Sequence, residues 1–453
     1  MKPQGSPDSS FYNGGRKTHW AVVAIAMIGS CMSGVTFVSV PGMVGTSGFG
    51  YLQMCIGFFL GYLVIAFVLT PLYFRLNVVS IYQYLEERFG RASYKTGAWF
   101  FFISKMLGAA VRLFLVCLTV QLLLFDPLGL PFWLNVLCNV AVCLAITFRG
   151  GVKSVIGVDV VKTACMIVAV ILAIVFIGKD LGAVRIHEKV FFFDDLNHPQ
   201  YFWKQLLGGL FTVVAMTGLD QDMMQRTLAC RNYRDSQKNL VVSSLLQTVV
   251  IAGFLCLGSL LYQFAAAHGI TETGDRLFPA VATGGCLPAI VGVFFVTGFM
   301  ISAYGAGGSA LTSLTTSFTV DILDKAGDVK VRKGVHLMMA VLMAVTIIAF
   351  NALNSTSAID AVYKLASYTY GPLLGLFAFG ILTRKKVKDR YVPLVALAAP
   401  VLCLVLQLNS ERWFNGYRFS YELLVMNAGL TFLGLCCLIQ RDGPARGEPA
   451  SRR

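Results

Sequence analysis

The chain has 453 residues, of which 56% are hydrophobic and 13% charged, and its mean hydropathy is +0.70. Soluble domains carry roughly twice that share of charged residues, so this composition excludes an ordinary soluble protein and predicts an all-α polytopic membrane protein. The net charge of +14 would suit nucleic acid, but Lys and Arg cluster in short loops between apolar segments. We therefore interpret them as topology signals and expect no nucleic-acid partner.

Twelve apolar segments with the character of membrane-spanning helices follow a polar N-terminal segment over residues 1–19. They cover residues 20–47, 51–76, 96–125, 131–148, 155–178, 201–219, 240–266, 287–317, 335–353, 358–382, 391–408 and 421–439. Basic residues concentrate in every second loop, which predicts a cytoplasmic-membrane protein with both termini on the cytoplasmic side. The polar tail over residues 440–453 is predicted to be disordered.

Glycines interrupt the first and the sixth apolar segments, which stand five segments apart. The first contains Gly29 and Gly34 around small polar residues, and the sixth contains Gly208-Gly209 and Gly218. Glycine lets a helix unwind in mid-membrane, where the freed carbonyls can coordinate an ion or a solute. Glycine also lets helices pack closely, and the sequence leaves both explanations open.

Two opposite charges lie inside the fifth apolar segment. Asp159 and Lys162 are three residues apart, which places them on one face of a helix with the acid first. Ionisable groups at membrane depth are costly and usually face a bundle interior or a water-filled path. The pair is either a self-neutralised structural ion pair or part of an ion or proton site, and we favour the ion or proton site.

A stripe of small residues follows one face of the eighth apolar segment. It comprises Ser302, Gly305, Ala306, Ser309 and Ser313. The hydroxyl groups can bond carbonyls of their own helix. The Gly and Ala positions can instead admit a long side chain from a neighbouring helix.

The third apolar segment carries Lys105 and Arg112, either of which can meet an anionic solute or neutralise a buried acid. By position, we place Thr36, Gln53, Arg112 and Tyr368 near a central binding pocket. A sugar, a sugar acid or another small organic metabolite would fit such a pocket. Residues 80–90 have the pattern of an amphipathic helix on the cytoplasmic surface.

Several short motifs resemble those of the sodium:solute symporter family. They are Met32-Ser-Gly34, SIYQYLEERFG at 80–90, Gly218-Leu-Asp-Gln-Asp-Met-Met-Gln-Arg226, and the segment from Ser309 to Asp321. The resemblance implies a LeuT-type fold of two inverted five-helix repeats, over residues 20–178 and 201–382, with two extra helices over 391–439. It also implies a monomer that transports a small polar solute by alternating access, driven in most relatives by sodium.

The resemblance also identifies the positions of the family's sodium site. Backbone carbonyls near Gly29 and Met32 would contribute, together with a pair of hydroxyl side chains on the eighth helix. That pair falls on Gly305 and Ala306, so both hydroxyls are missing here. The family's aspartate on the fifth helix matches Asp159, while a neutral amide that follows it in relatives is replaced by lysine.

These departures lead to the hypothesis that the Lys162 ammonium takes the place of sodium, reaching over the hydroxyl-free positions of the eighth helix. Coupling would then use protons, if this buried amine releases its proton, or be absent. The alternative is a displaced sodium site built from Ser309, Thr312 and Ser313 together with Asp159. No cofactor and no enzymatic motif are predicted. A non-transporting solute sensor is the alternative function.

Overall fold

The computed structural model describes residues 11, 14–32, 34–148, 151–182, 192–194, 200–352, 358–413, 419 and 422–440. These residues are almost entirely helical, and they include isolated β-bridges but no strand. The helices are α1 Trp20–Cys31, α2 Gly34–Ser47, α3 Tyr51–Arg75, α4 Gln83–Arg88, α5 Arg91–Val120, α6 Phe132–Thr147, α7 Val152–Leu181, α8 Phe202–Gly218, α9 Gln221–Thr227, α10 Tyr233–His268, α11 Leu277–Thr283, α12 Ala289–Ser317, α13 Val329–Ala352, α14 Ala358–Leu382, α15 Val392–Trp413 and α16 Glu422–Cys437. The predicted tail beyond residue 440 lies outside the described residues.

The helical architecture confirms an all-α fold with several apolar spans. Seven of the described helices are long and apolar enough to cross a membrane, or up to nine if each bent pair counts as one span. Each predicted apolar segment contains a helix, although α10 and α13 begin about two turns earlier than predicted. For α10 the cause is local, because the Asn232 side chain caps the helix by accepting from the Asp235 N–H.

Both glycine-interrupted segments are broken in the structure. The axis bends by 57° between α1 and α2 and by 74° between α8 and α9. At the first break Met32 is extended, at φ −94° and ψ 104°, which ends α1. At the second break the Asp220 carboxylate accepts from the N–H groups of Asp222 and Met223, so it caps α9. Each break leaves backbone groups free to contact other elements.

The glycine pair inside α8 packs instead of unwinding. Gly208 and Gly209 both lie within the continuous helix, and a Cβ on Gly209 would meet the backbone of Met54 on α3. On the facing helix, a Cβ on Gly57 would meet the Leu206 carbonyl oxygen and would lie 2.9 Å from the Leu210 nitrogen. Close backbone approach between α3 and α8 therefore accounts for these glycines.

A proline interrupts the hydrogen bonding of α14 in the second half of the chain. Pro372 has no N–H, so the carbonyl of Tyr368, four residues earlier, loses its helical donor. The Asn427 side chain on α16 replaces it, with Nδ2 donating to the carbonyls of Tyr368 at 3.1 Å and Ser367 at 3.0 Å. The peripheral helix α16 thus supplies the donor that the proline removes.

Candidate functional site

A buried aspartate on α7 joins two broken helices. The Asp159 Oδ2 atom accepts from Ser30 Oγ at 2.8 Å and from Arg226 Nε at 2.9 Å. Ser30 precedes the break after α1, and Arg226 belongs to α9, which follows the break after α8. Asp159 and Arg226 are at most 2% exposed. One carboxylate therefore ties the interrupted regions of the first and the sixth apolar segments to α7.

The guanidinium of Arg226 connects three helices at once. Its Nη1 donates to Asp222 Oδ1 at 2.6 Å, and its Nη2 donates to Ser309 Oγ at 2.6 Å on α12. Ser309 in turn donates to the Asp222 carboxylate at 2.5–2.6 Å. The planar fork of arginine suits this arrangement, because its donors point in fixed, different directions.

Lys105 on α5 neutralises two buried acids. Its Nζ lies 2.6 Å from Asp222 Oδ2 and 3.2 Å from Asp220 Oδ2. The Tyr370 hydroxyl on α14 also donates to Asp220. Of the two uses that the sequence allowed for Lys105, the structure therefore shows neutralisation of acids. Lys105 of α5 and Tyr370 of α14 therefore fix the break after α8, through an ion pair and a hydrogen bond to Asp220.

Lys162 is buried beside these ion pairs but does not join them. It is 1% exposed, and within the described residues its ammonium makes neither a hydrogen bond nor an ion pair. The self-neutralised pair with Asp159, the less favoured of the two sequence interpretations, is not formed within 4 Å, because Arg226 takes that carboxylate. The Lys162 stem passes over Gly305, since a Cβ there would lie 3.9 Å from Lys162 Cδ and 3.4 Å from Asp159 Oδ1. A small residue on α12 is what leaves room for this lysine.

These side chains line a small cavity of about 20 Å³, roughly the space that one water molecule needs. Its lining comprises Ser30, Lys105, Ala109, Arg112, Asp159, Lys162, Asp222, Met223, Arg226, Ala306, Ser309 and Ala310. Arg112 is partly exposed, and no described residue gives it an ion-pair partner within 4 Å. The cavity thus presents two basic side chains, Arg112 and Lys162, for which the described residues offer no ion-pair partner within 4 Å.

Other residues of the predicted ion site lie near this cavity without lining it. Gly29 faces α7, because a Cβ there would lie 2.6 Å from the carbonyl oxygen of Asp159. Met32 ends α1 and donates its N–H to Ile28 at 3.0 Å. Ser313 and Thr312 donate to the carbonyls of their own helix at Ala310 and Gly308. Both hydroxyl groups therefore bond to carbonyls of their own helix, which is the first of the two explanations that the sequence allowed.

Of the four predicted pocket residues, Arg112 lines the cavity and the other three are not in its lining. Gln53 is buried where α3 meets the connection before α8, and its Nε2 donates to the carbonyls of Gly50 and Gln200. Tyr368 donates its hydroxyl to Gln407 on α15. Thr36 is half-buried on α2.

Sequence reasoning missed the two most connected charges of the site. Arg226 was assigned to a basic cytoplasmic loop, yet it is fully buried on α9 together with Asp222. The signal was their spacing, since Asp222 and Arg226 stand at i, i+4 as an acid followed by a base directly after a glycine break. This spacing indicates that a basic residue one turn after such a break can pair with a buried acid such as Asp159.

Comparison with known proteins identifies a family model over most of the chain. The model described as "Sodium:solute symporter family" matches residues 11–389. The chain is 28% identical over 430 residues to the sodium/sialic acid symporter NanT of Aliivibrio fischeri, covering 88% of this chain and 82% of that protein. It is 25% identical over 398 residues to the human sodium/iodide cotransporter, covering 82% of this chain and 60% of that protein.

A third relative and one solved structure extend the comparison. The mouse sodium-coupled monocarboxylate transporter 1 is 26% identical over 395 residues, and the chain spans 64% of its length. The chain thus covers less than two thirds of these two mammalian relatives. A substrate-bound, outward-open structure of a Na⁺-coupled sialic acid symporter superposes with a TM-score of 0.76 at 17% identity, covering 96% of this chain and 92% of that one.

Proposed function

Because the chain belongs to the sodium:solute symporter family, we propose that it is a secondary transporter, not an enzyme, that moves a small anionic solute by alternating access. The observation that carries this proposal is the presence of two cavity bases, Arg112 and Lys162, without an ion-pair partner within 4 Å among the described residues. A polar cavity inside a membrane bundle, lined by such groups, is typical of a solute pathway.

We propose the finer architecture from the sequence and the family together. The chain would cross the cytoplasmic membrane twelve times as a monomer, with residues 1–19 and 440–453 in the cytoplasm. Residues 20–178 and 201–382 would form the two inverted five-helix repeats, and residues 391–439 the two additional helices. Breaks at matching positions, after α1 and after α8, support this division.

The charge balance of the cavity supports an anion as the solute. Four bases, Lys105, Arg112, Lys162 and Arg226, stand in or beside it. They face three acids, Asp159, Asp220 and Asp222, which leaves one positive charge in excess. In a low-dielectric interior an uncompensated charge is costly, so a bound monoanion would be favoured. The names of the relatives above, with iodide, sialic acid and monocarboxylate, agree with an anion.

Arg112 would bind the solute directly, because Lys105 and Arg226 are already engaged by carboxylates. A guanidinium offers paired donors that match the two oxygens of a carboxylate. This preference separates a carboxylate from a neutral sugar, which would leave the guanidinium unpaired. Lys162, on the opposite helix of the lining, would contribute charge to the same volume.

For the coupling ion, we propose that the Lys162 ammonium occupies the place of the family's sodium. Gly305 and Ala306 supply no hydroxyl oxygen, and hard cations require several oxygen ligands. The lysine stem lies against Gly305, where a hydroxyl-bearing side chain would compete for the space. Transport would then be coupled to protons or uncoupled, in contrast to the sodium coupling in the names of the relatives.

The geometry also weighs against a displaced sodium site on α12. Ser309 and Asp159, two of its supposed ligands, are both bonded to Arg226. The other two, Thr312 and Ser313, donate to carbonyls of their own helix. A cation placed among them would also meet the positive guanidinium at close range.

The test is the thermal stability of the purified protein, because a ligand that binds only the native state raises stability by RT ln(1 + [L]/Kd). Iodide, pyruvate and N-acetylneuraminate are titrated in turn, and sodium is titrated against potassium and choline at fixed ionic strength. We expect an anion to stabilise the wild type and the Arg112→Met variant to lose that response. Indifference to all anions, or to the loss of Arg112, contradicts the proposed solute class.

The ion is tested in the same assay with Lys162→Ala. We expect the wild type to be indifferent to sodium, and the alanine variant to become sodium-responsive because the cation's place is vacated. Lys153→Ala serves as the matched control, since that lysine is exposed on the same helix. Selective stabilisation of the wild type by sodium would show an ordinary sodium symporter with a rearranged site.

A further inference from the structure

Part of the connection between α3 and α5 is buried. The predicted amphipathic helix is present as α4, with Glu86 and Glu87 exposed, but Ser80, Ile81 and Tyr82 just before it are each 0% exposed. Connections between helices normally run over the surface, because their backbone groups need water or a partner. Residues 79–82, named here the latch segment, therefore require specific partners inside the protein.

Those partners come from the second half of the chain. The Gln221 side chain accepts from the Ile81 N–H at 2.9 Å and donates to the Val79 carbonyl at 3.0 Å, so one amide pairs with the backbone on both sides of residue 80. The Tyr82 hydroxyl donates at 2.9 Å to the carbonyl of Leu219, which the break after α8 has freed. The latch segment thus holds the first residue of α9 and the break before it.

A second anchor fixes the same segment to the end of α12. Ser80 Oγ donates to Asp321 Oδ2 at 2.7 Å, and the carboxylate also accepts from Ser317 at 2.8 Å and Tyr94 at 2.9 Å. Asp321 is 0% exposed. Hydrogen bonds to a buried carboxylate are strong, so removing one of the three hydroxyl donors to Asp321 costs stability.

The latch segment lies at the end of the bundle that carries the basic loops. Arg88, a few residues further on, donates to the carbonyls of Thr383 and Lys385, and Lys95 pairs with Asp324. In the proposed orientation this is the cytoplasmic end. The element that the segment holds, α9, also supplies Asp222, Met223 and Arg226 to the cavity wall.

We infer that residues 79–82, clamped by Gln221 and Asp321, form the latch that keeps the cavity closed toward the cytoplasm. The inference rests on the proposed alternating-access transport. For the cavity to open at this end, α9 has to move away, and it cannot do so while Gln221 is bonded to the backbone of the latch segment. Releasing these bonds shifts the population toward the inward-open state.

The experiment measures access to the cavity from each side of the membrane, using the full-length protein with a reporter cysteine, Ala306→Cys. Right-side-out and inside-out vesicles are exposed to a membrane-impermeant methanethiosulfonate, and each rate is corrected by the same protein lacking the reporter. We expect Gln221→Ala to raise labelling from the cytoplasmic face about tenfold, as the loss of two hydrogen bonds implies. Labelling from the opposite face should fall.

The matched control is Gln225→Ala on the same short helix. Gln225 is equally buried, and its amide donates to Thr316 at 2.9 Å instead of to the latch segment. We expect it to change neither rate by more than about twofold. Ser80→Ala, a milder change that removes one bond to Asp321, should move the rates in the same direction as Gln221→Ala, by about threefold.

Opposite changes on the two faces distinguish a released latch from general loosening, which raises labelling from both. Equal rates for Gln221→Ala and Gln225→Ala, or a rise from both faces, overturn the inference. Labelling requires no solute, so the result is independent of the solute class. A latch response in a protein that no anion stabilises would contradict the proposed solute and leave the latch standing.

Discussion

The ion pair between Arg226 and Asp159 offers the sharpest test of the energetics of this site. Its closest contact is 2.9 Å, and both side chains are at most 2% exposed. Arg91 and Asp324 form a similar pair at 2.7 Å, but their side chains are 69% and 45% exposed. The two pairs have similar distances and very different burial, so their comparison tests how much burial and the further contacts of a buried charge matter.

We expect Arg226→Met to lower the free energy of unfolding by about 3–5 kcal/mol, because it leaves the buried Asp159 carboxylate without its ion-pair partner. The substitution also removes donors to Asp222 and Ser309. Arg91→Met should cost less than about 1 kcal/mol, since water screens an exposed pair. Reversible unfolding in mixed detergent micelles, followed by circular dichroism, measures both values.

A double variant separates the loss of the ion-pair attraction from the cost of burying the Asp159 carboxylate without a partner. Asp159→Asn in the Arg226→Met background removes the carboxylate that the first change leaves unpaired, so it should restore about 1–3 kcal/mol. A cost for Arg226→Met no larger than that of Arg91→Met would refute the reasoning from burial. Strict additivity of the stability costs of Arg226→Met and Asp159→Asn would refute it as well.

Four further outcomes are expected. Gly57→Ala should destabilise the protein by about 1–3 kcal/mol in the same unfolding assay, because its Cβ meets α8. Gly157→Ala, where a Cβ meets nothing within 4 Å, should instead be neutral or stabilising by up to about 1 kcal/mol. Asn427→Leu should cost about 1–3 kcal/mol, since it leaves the Tyr368 carbonyl without a donor; an unchanged unfolding midpoint would argue against that support. Gly305→Ser combined with Lys162→Ala should give a stronger thermal response to sodium than Lys162→Ala alone, and an equal response would place the cation elsewhere.

Much of the architecture could be predicted from local sequence. Apolar length and composition predicted the helices, and the glycines around residues 31 and 218 marked two positions where the sequence allowed either a break or close packing. These features are local, because helix formation and interruption depend on neighbouring residues. The family motifs added the proposed repeat arrangement and the proposed role of Asp159.

The partners of the buried charges could not be predicted in the same way. Helical spacing placed Asp159 and Lys162 on one face, and both do lie at the cavity. The carboxylate nevertheless pairs with Arg226, which is 67 residues away and was taken for a loop residue. Lys105 likewise had two uses open to it until the structure brought Asp220 and Asp222 within reach.

Sequence by itself therefore determined the membrane class, the helices and the charged residues that need an explanation. Only the tertiary structure decided that the glycine-interrupted segments break, which acid pairs with which base, and that residues 80–82 are buried. The physical reason is that periodicity constrains a residue's neighbours within one helix. Pairing in a low-dielectric interior depends on the distances between different helices, and packing of the whole bundle sets those distances.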